Sequence, residues 1–269
     1  GVHMRKSLGV VVGCTIALAG CQTLEQTKEN FGTAIGAVTG GAAGALLCGK
    51  KYKLACGLVG AGIGGFIGNR IGKRLDDADK RQLALETSQA LASSSPSAAP
   101  RVWSNPKTGV KGKVTVKDAS TKSVQTSIPV LKDRVKVTPA LDLVGETYKV
   151  SSSALNVRGG PGTDYHPVGT KLTRGQDVHV VGRVQSKPDW MLIAQNGAGS
   201  GYVFAKGLRS TGYAVAQSDQ KVPAAAETVQ IAAKQQCKTV EQEVTYADNT
   251  SDTESVRMCQ QGDGSWSIS

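Results

Sequence analysis

The stretches Leu155-Asn156-Val157-Arg158-Gly159-Gly160-Pro161-Gly162, Val178-His179-Val180-Val181, Trp190-Met191-Leu192-Ile193 and Gly201-Tyr202-Val203 decide how this chain is read. Tyr148-Lys149-Val150 precedes them. Val168-Gly169 and Leu172-Thr173-Arg174-Gly175-Gln176 lie between, and the series closes at Leu208. Each run is short and β-favouring, and Gly or Pro separates it from the next. Short strands with turn signals at close spacing predict a small β-barrel, here over residues 146–210.

The Leu-Asn-Val-Arg-x-Gly-Pro and Gly-Tyr-Val signatures within these runs resemble the bacterial SH3 (SH3b) domain. The resemblance implies a binding module with cell-wall peptide or a protein as ligand. A peptide groove is served by aromatic walls with a few polar groups, which nominates Tyr165, Trp190 and Tyr202 with Asn156 and Arg158. Trp190 and Tyr202 fit barrel core equally well, and the sequence leaves both roles open.

On either side lie two further β-type pieces. Val102-Trp103-Ser104-Asn105-Pro106-Lys107-Thr108-Gly109 runs into Gly112-Lys113-Val114-Thr115-Val116, with turn chemistry at Asn-Pro-Lys-Thr-Gly. Far downstream Cys237 opens an alternating run with Val240, Val244 and Tyr246 on one face. A turn at Asp248-Asn249-Thr250 follows, then Val256 to Cys259, and Gly262-Asp263-Gly264-Ser265-Trp266 closes the chain. Trp103, Asn105, Pro106, Gly109, Gly112, Val114 and Thr115, with Cys237, Cys259, Asp263, Gly264 and Trp266, resemble the two halves of the C-terminal domain of the seventeen-kilodalton surface antigen family. Residues 117–236 part the halves here, so the barrel reads as an insertion into a split β domain. Such insertions are tolerated when the insert's ends lie close together. Whether the halves still form one sheet is left to the structure.

Upstream, Gly32, Gly36, Gly40 and Gly44 recur every fourth residue, and the pattern restarts at Gly60, Gly64, Gly68 and Gly72. Every fourth residue falls on nearly one helix face. Glycine costs about 1 kcal/mol against alanine inside a helix, so a ladder of them calls for close helix–helix packing. No charge interrupts Phe31–Gly49 or Leu54–Asn69. The expected element is a membrane-associated helical hairpin over 31–72, with a basic tip at Lys50–Lys53 and a basic exit at Arg70, Lys73 and Arg74. The ladder resembles the same surface antigen family's glycine zipper and implies self-association. Asp76, Asp77 and Asp79 then read as the acidic first turn of a helix, where the dipole favours them.

Read from Met4, Arg5-Lys6, the apolar run Leu8–Leu18 and Leu18-Ala19-Gly20-Cys21-Gln22 have the order of a secretory signal. Leu-Ala-Gly-Cys resembles a bacterial lipobox, which implies that Cys21 is lipidated, with palmitate among its acyl chains. Gln22 at the next position resembles outer-membrane sorting. Lys and Arg number 32 against 21 acids, a net +11. Export removes nucleic acid as the partner of this charge and leaves lipid phosphates and wall carboxylates. Between Arg101 and Lys149 the balance is ten basic residues to four acidic.

No cofactor, catalytic residue or metal site is expected. The three histidines, His3, His166 and His179, lie far apart, and no cysteine falls between Cys56 and Cys237. Aromatic residues make up 4% of the chain, and what remains outside the modules is too little for a catalytic domain. With Cys14 in the signal and Cys21 acylated, four cysteines allow three pairings. The expected bridges are Cys237–Cys259 and Cys48–Cys56.

The fold class is thus multidomain, a glycine-zipper α-helical hairpin followed by small all-β modules. The expected order is signal peptide 4–20, lipidated tether 21–30, hairpin 31–72, helix 73–92, linker 93–100, first β half 101–118, connector 119–145, SH3b barrel 146–210, linker 211–236 and second β half 237–269. The expected function is that of a non-enzymatic lipoprotein of the outer membrane, facing periplasm or cell surface and binding peptidoglycan or its peptides. The alternative is an accessory protein that binds and regulates a cell-wall enzyme or envelope complex.

Overall fold

In the computed structural model, residues 66–93, 98–215 and 222–269 are described. The expected signal, Cys21, the expected Cys48–Cys56 bridge and the ladder glycines from Gly32 to Gly64 lie outside them. Two helices lead: α1 (Asn69–Gly72) and α2 (Asp77–Ala92). Twelve strands follow among the described residues: β1 (Arg101–Ser104), β2 (Lys111–Leu131), β3 (Leu141–Val150), β4 (Ala154–Leu155), β5 (Leu172–Thr173), β6 (Asp177–Val184), β7 (Trp190–Gln195), β8 (Ala198–Phe204), β9 (Leu208–Ala214), β10 (Ala226–Thr245), β11 (Ser251–Gln260) and β12 (Trp266–Ile268). No helix among the described residues is long and apolar enough to cross a membrane.

The two β halves assemble as one sheet. β2 and β10 pair antiparallel from Lys111↔Thr245 to Leu131↔Ala226, and β1, β11 and β12 extend the sheet on either side. This corrects two expected boundaries. Most of the 119–145 connector is strand, leaving 132–140 between β2 and β3, and much of the 211–236 linker belongs to β9 and β10. On the ribbon Thr121, Ser123, Gln125 and Ser127 form an exposed polar face, while Ile128, Val130, Ile231 and Ala233 are buried.

Three hydrophobic clusters divide the core. In the first, α2 lays Leu83, Ala84 and Leu91 onto Val114, Val240, Val244, Met258 and Trp266. Asp76 caps α2, its Oδ1 accepting from Asp79 N at 2.7 Å, so the three acids do serve the helix start. The third cluster is the interior of the barrel, with Val150, Val178, Val180, Met191, Ile193 and Val203.

The second cluster joins the two. Alternation places Leu192 and Tyr202 opposite Met191, Ile193 and Val203, and this outer face packs on Ile128, Val130, Ile231 and Ala233 of the ribbon. The strand pairings close around it. β8, β7, β6 and β3 neighbour in order, β3 meets β10 at Ala233↔Leu141, and β2 meets β8 at Val130↔Gly199. The inserted barrel therefore shares a core with its host sheet.

The zipper's exit is gripped by the same sheet. Gln242 Nε2 donates to the Phe66 carbonyl and, at 2.9 Å, to Thr87 Oγ1, while Gly68 N donates to Gln242 Oε1 at 3.2 Å. Glu254 Oε2 accepts from Arg70 N and Ile71 N at 3.2 and 3.3 Å. Gly68 itself is extended (φ −60°, ψ 147°), and a Cβ there would lie 2.0 Å from Glu254 Cδ. Here glycine answers to a carboxylate of β11, a contact that fourfold spacing did not foretell. The basic exit is likewise partnered by acids of β10–β11: Arg70 with Asp252 at 3.4 Å, and Arg74 with Asp252 and Asp248, both at 3.3 Å.

Candidate functional site: the loop and turn of the barrel

The loop from Arg158 to Gly169 is built by its own arginine. Arg158 Nη1 donates to the carbonyls of Thr163 and Tyr165 at 3.2 and 2.6 Å, fixing the loop from within. Gly160 carries the Tyr165 ring, since a Cβ there would sit 2.4 Å from it. Arg158 thus positions Tyr165, with its guanidinium already committed to backbone carbonyls. Tyr165 itself stays half-exposed.

Across from this loop stands the β6–β7 turn. A Cβ on Gly162 would come within 3.4 Å of Lys187 Nζ, which brings the turn beside the loop. Trp190 N donates to Lys187 O at 2.9 Å, and the Trp190 ring meets Phe204 edge-on with centroids 5.7 Å apart. Phe204 is 37% exposed, and Lys206 Nζ lies 5.9 Å from its ring centre. Tyr165, the Trp190–Phe204 pair, Lys187 and Lys206 therefore rim one end of the barrel.

The nominated residues divide. Arg158 and Tyr165 come together in the loop. Trp190 is 9% exposed and Tyr202 fully buried, both in the shared second cluster. Tyr202 is thereby core, held by apolar contacts on the ribbon side. Its hydroxyl donates to Val137 O at 2.9 Å, and burial, then neighbouring Tyr165, push the phenol's pKa up. Asn156 is half-buried, and its Oδ1 is buried without a hydrogen-bond partner among the described residues. His179 is half-buried on β6, and burial lowers its pKa. Phe204, Lys187 and Lys206 were not foreseen. The period-two step from Tyr202 to Phe204 could have found Phe204, whereas nothing in the sequence singles out Lys187 or Lys206.

Charge pairing is uneven over the molecule. In the host domain Arg101 pairs with Glu86, Lys113 with Glu243, Lys117 with Glu241, Lys132 with Glu227 and Arg257 with Asp118. Arg101, Lys113, Lys117 and Lys132, four of the ten basic residues between Arg101 and Lys149, are in this way answered by acids from elsewhere in the chain. On the barrel Lys149 pairs with Asp177, whereas Lys171, Arg174, Lys187, Lys206 and Arg209 are exposed and lack a carboxylate within 4.0 Å among the described residues. Unpaired cations beside exposed aromatic rings suit an anionic ligand with apolar groups.

Where host, barrel and helix meet, Lys238 is 1% exposed, and its Nζ donates to the carbonyls of Leu91, at 2.6 Å, and Ser93 at the end of α2. A cation there complements the helix dipole. Burial, opposed by Glu146, lowers Lys238 to about 8. Burial also raises Glu146 to about 7, against the Ser210 hydrogen bond and Lys238, which lower it. The β10–β11 pair is cross-linked as expected, Cys237 to Cys259.

Comparison with known families finds two matches. Residues 4–76 match the YMGG-like Gly-zipper and residues 153–209 the bacterial SH3 domain. Neither the curated proteins nor the solved structures give a match. Both matched segments fit a protein associated with the bacterial envelope. The chain carries a YMGG-like Gly-zipper followed by a bacterial SH3 domain.

Proposed function

We propose that this chain is a non-enzymatic envelope lipoprotein that roots in the outer membrane through acylated Cys21 and its glycine zipper. It presents the SH3 rim to the peptides of peptidoglycan. The zipper hairpin self-associates through its glycine face. The observation that carries the reading is the rim itself, where half-exposed Tyr165 and exposed Phe204 stand among unpaired Lys187 and Lys206. Wall peptides bear free carboxylates and short apolar side chains, which answer that surface in charge and shape. Bacterial SH3 domains commonly bind peptidoglycan, in agreement with this choice of ligand.

The test is co-sedimentation of the detergent-solubilised full chain with purified sacculi. Wild type should pellet with them, and Phe204→Ala combined with Lys187→Glu should lower the bound fraction about tenfold, ~1.4 kcal/mol. Equal pelleting of the two, or none by wild type, contradicts the proposal.

A further inference from the structure

The segment between β2 and β3, residues 132–140, lies across the barrel from the loop to the turn. Its backbone is fixed at three successive points: Lys136 N donates to Gly159 O at 2.8 Å, Val137 O accepts from Tyr202 Oη at 2.9 Å, and Ala140 O accepts from Gln185 N at 3.0 Å. Val135 is 5% exposed in the cluster that holds Trp190 and Tyr202. Arg134 Nη1 donates to Gln195 Oε1 at 2.9 Å, and its guanidinium borders Gly169.

Three features distinguish this contact from ordinary core. It is made through the segment's backbone, so it suits any extended chain that offers an N–H and two carbonyls at this spacing. Its side chains Lys136, Val137, Thr138 and Pro139 contribute little burial, Lys136 being exposed and the other three half-buried. The floor beneath it includes Tyr202, and Trp190 shares a cluster with its Val135, two of the five residues that sequence alone nominated for ligand binding. Beyond the anchor made by buried Val135 and the Arg134–Gln195 bond, residues 136–140 are held chiefly by three backbone hydrogen bonds, the type of element that opens locally at low cost.

We infer that residues 134–140 are a resident, displaceable occupant of a groove that reads extended peptide backbone, and that an incoming peptide competes with them. The inference rests on the SH3 rim being the binding end of the molecule. It adds that the groove is filled in cis until the strap lifts. Apparent affinity is then lowered by the fraction of time the strap is docked.

The test uses the full chain in detergent with residues 136–140 replaced by a Gly/Ser run of equal length. The probe is a fluorescein-labelled peptide with the sequence of residues 134–141, added in trans. The opened chain should bind it at least tenfold more tightly than wild type does, by fluorescence anisotropy. Should the opened chain lose its native tryptophan fluorescence, Lys136→Pro, which removes the N–H that reaches Gly159, takes its place. Equal binding by opened and wild-type chains overturns the inference. Sacculi added to the same samples separate the two claims. Gain of the strap peptide without any binding of sacculi sustains the groove and refutes the wall ligand.

Discussion

Replacing Gly68 with alanine separates two explanations of the last turn of the glycine ladder. If Gly68 serves helix–helix packing, Gly68→Ala and Gly72→Ala should behave alike. In the structure their surroundings differ. A Cβ at Gly68 would lie 2.0 Å from Glu254 Cδ and Oε2, whereas at Gly72 the nearest atom is Ile67 Cγ2 at 3.4 Å, an ordinary contact. The Glu254 carboxylate can swing away, but it then releases Arg70 N and Ile71 N. Hydrogen bonds to a charged group contribute about 1.5–3 kcal/mol each, and the exposed Arg70 bond belongs at the low end, so the loss of both is roughly 3–4.5 kcal/mol. Alanine tolerates the extended backbone at Gly68 and recovers about 0.4–1 kcal/mol of unfolded-state entropy. Net destabilisation by Gly68→Ala is therefore about 2–4 kcal/mol, while Gly72→Ala is neutral or stabilising by up to about 1 kcal/mol. Urea unfolding followed by tryptophan fluorescence reads this, because Trp103 and Trp266 lie in the cluster that α1 joins. Midpoints that move the same way and by the same amount would refute the clamp.

Other outcomes follow from the buried groups and the cross-link. Glu146 is protonated in the folded chain up to about pH 7 but in the unfolded chain only up to the ordinary glutamate value of about 4.5. Between these values only the native state holds the proton, so this group's contribution to stability falls as pH rises, by about 3 kcal/mol at most. Glu146→Gln should remove that slope, read as the difference between mutant and wild-type urea midpoints at pH 5 and pH 7.5; parallel curves would contradict the assignment. Lys238→Met should cost about 2–4 kcal/mol, since it leaves the Leu91 and Ser93 carbonyls without their donor, and a wild-type melting curve would show those bonds to be idle. Cys259→Ser should lower stability by about 3 kcal/mol, from the 22-residue separation it leaves unclosed. The strand register Cys237↔Cys259 should survive, visible as unchanged β circular dichroism.

Much of the barrel was legible because β6, β7 and β8 advertise themselves through Val178, Val180, Met191, Ile193 and Val203, apolar residues set between glycines. The two β halves were legible in their turns: Asn105 N bonds Val110 O, Gly109 takes φ +74°, and Asp263 Oδ1 accepts from Ser265 N ahead of Trp266. The ribbon was not. Residues 117–127 and 226–236 are rich in Ser, Thr, Gln, Lys and Ala, a composition that reads as linker, and their strand state comes from pairing with each other across more than a hundred residues of sequence. The strap escaped for a related reason, since backbone hydrogen bonds leave little mark on side-chain choice. Trp190 and Tyr202 show a third limit. Alternation says which face of a strand is apolar, but a second apolar layer behind that face is a tertiary fact, and here it turned expected groove residues into core.

The claim on which the rest depends is that barrel and split sheet are one cooperative body. Cutting out residues 146–210 would bare Val181, Val184, Trp190, Leu192 and Tyr202 on the face that now meets Ile128, Val130, Ile231 and Ala233. Each such side chain is worth about 1.5–3 kcal/mol of burial, a sum comparable to the whole stability of an ordinary domain, about 5–15 kcal/mol. Calorimetry of the excised 146–210 fragment beside the intact chain decides it. The fragment should show no cooperative transition, whereas a sharp melt at the intact chain's temperature would mean that the barrel stands alone.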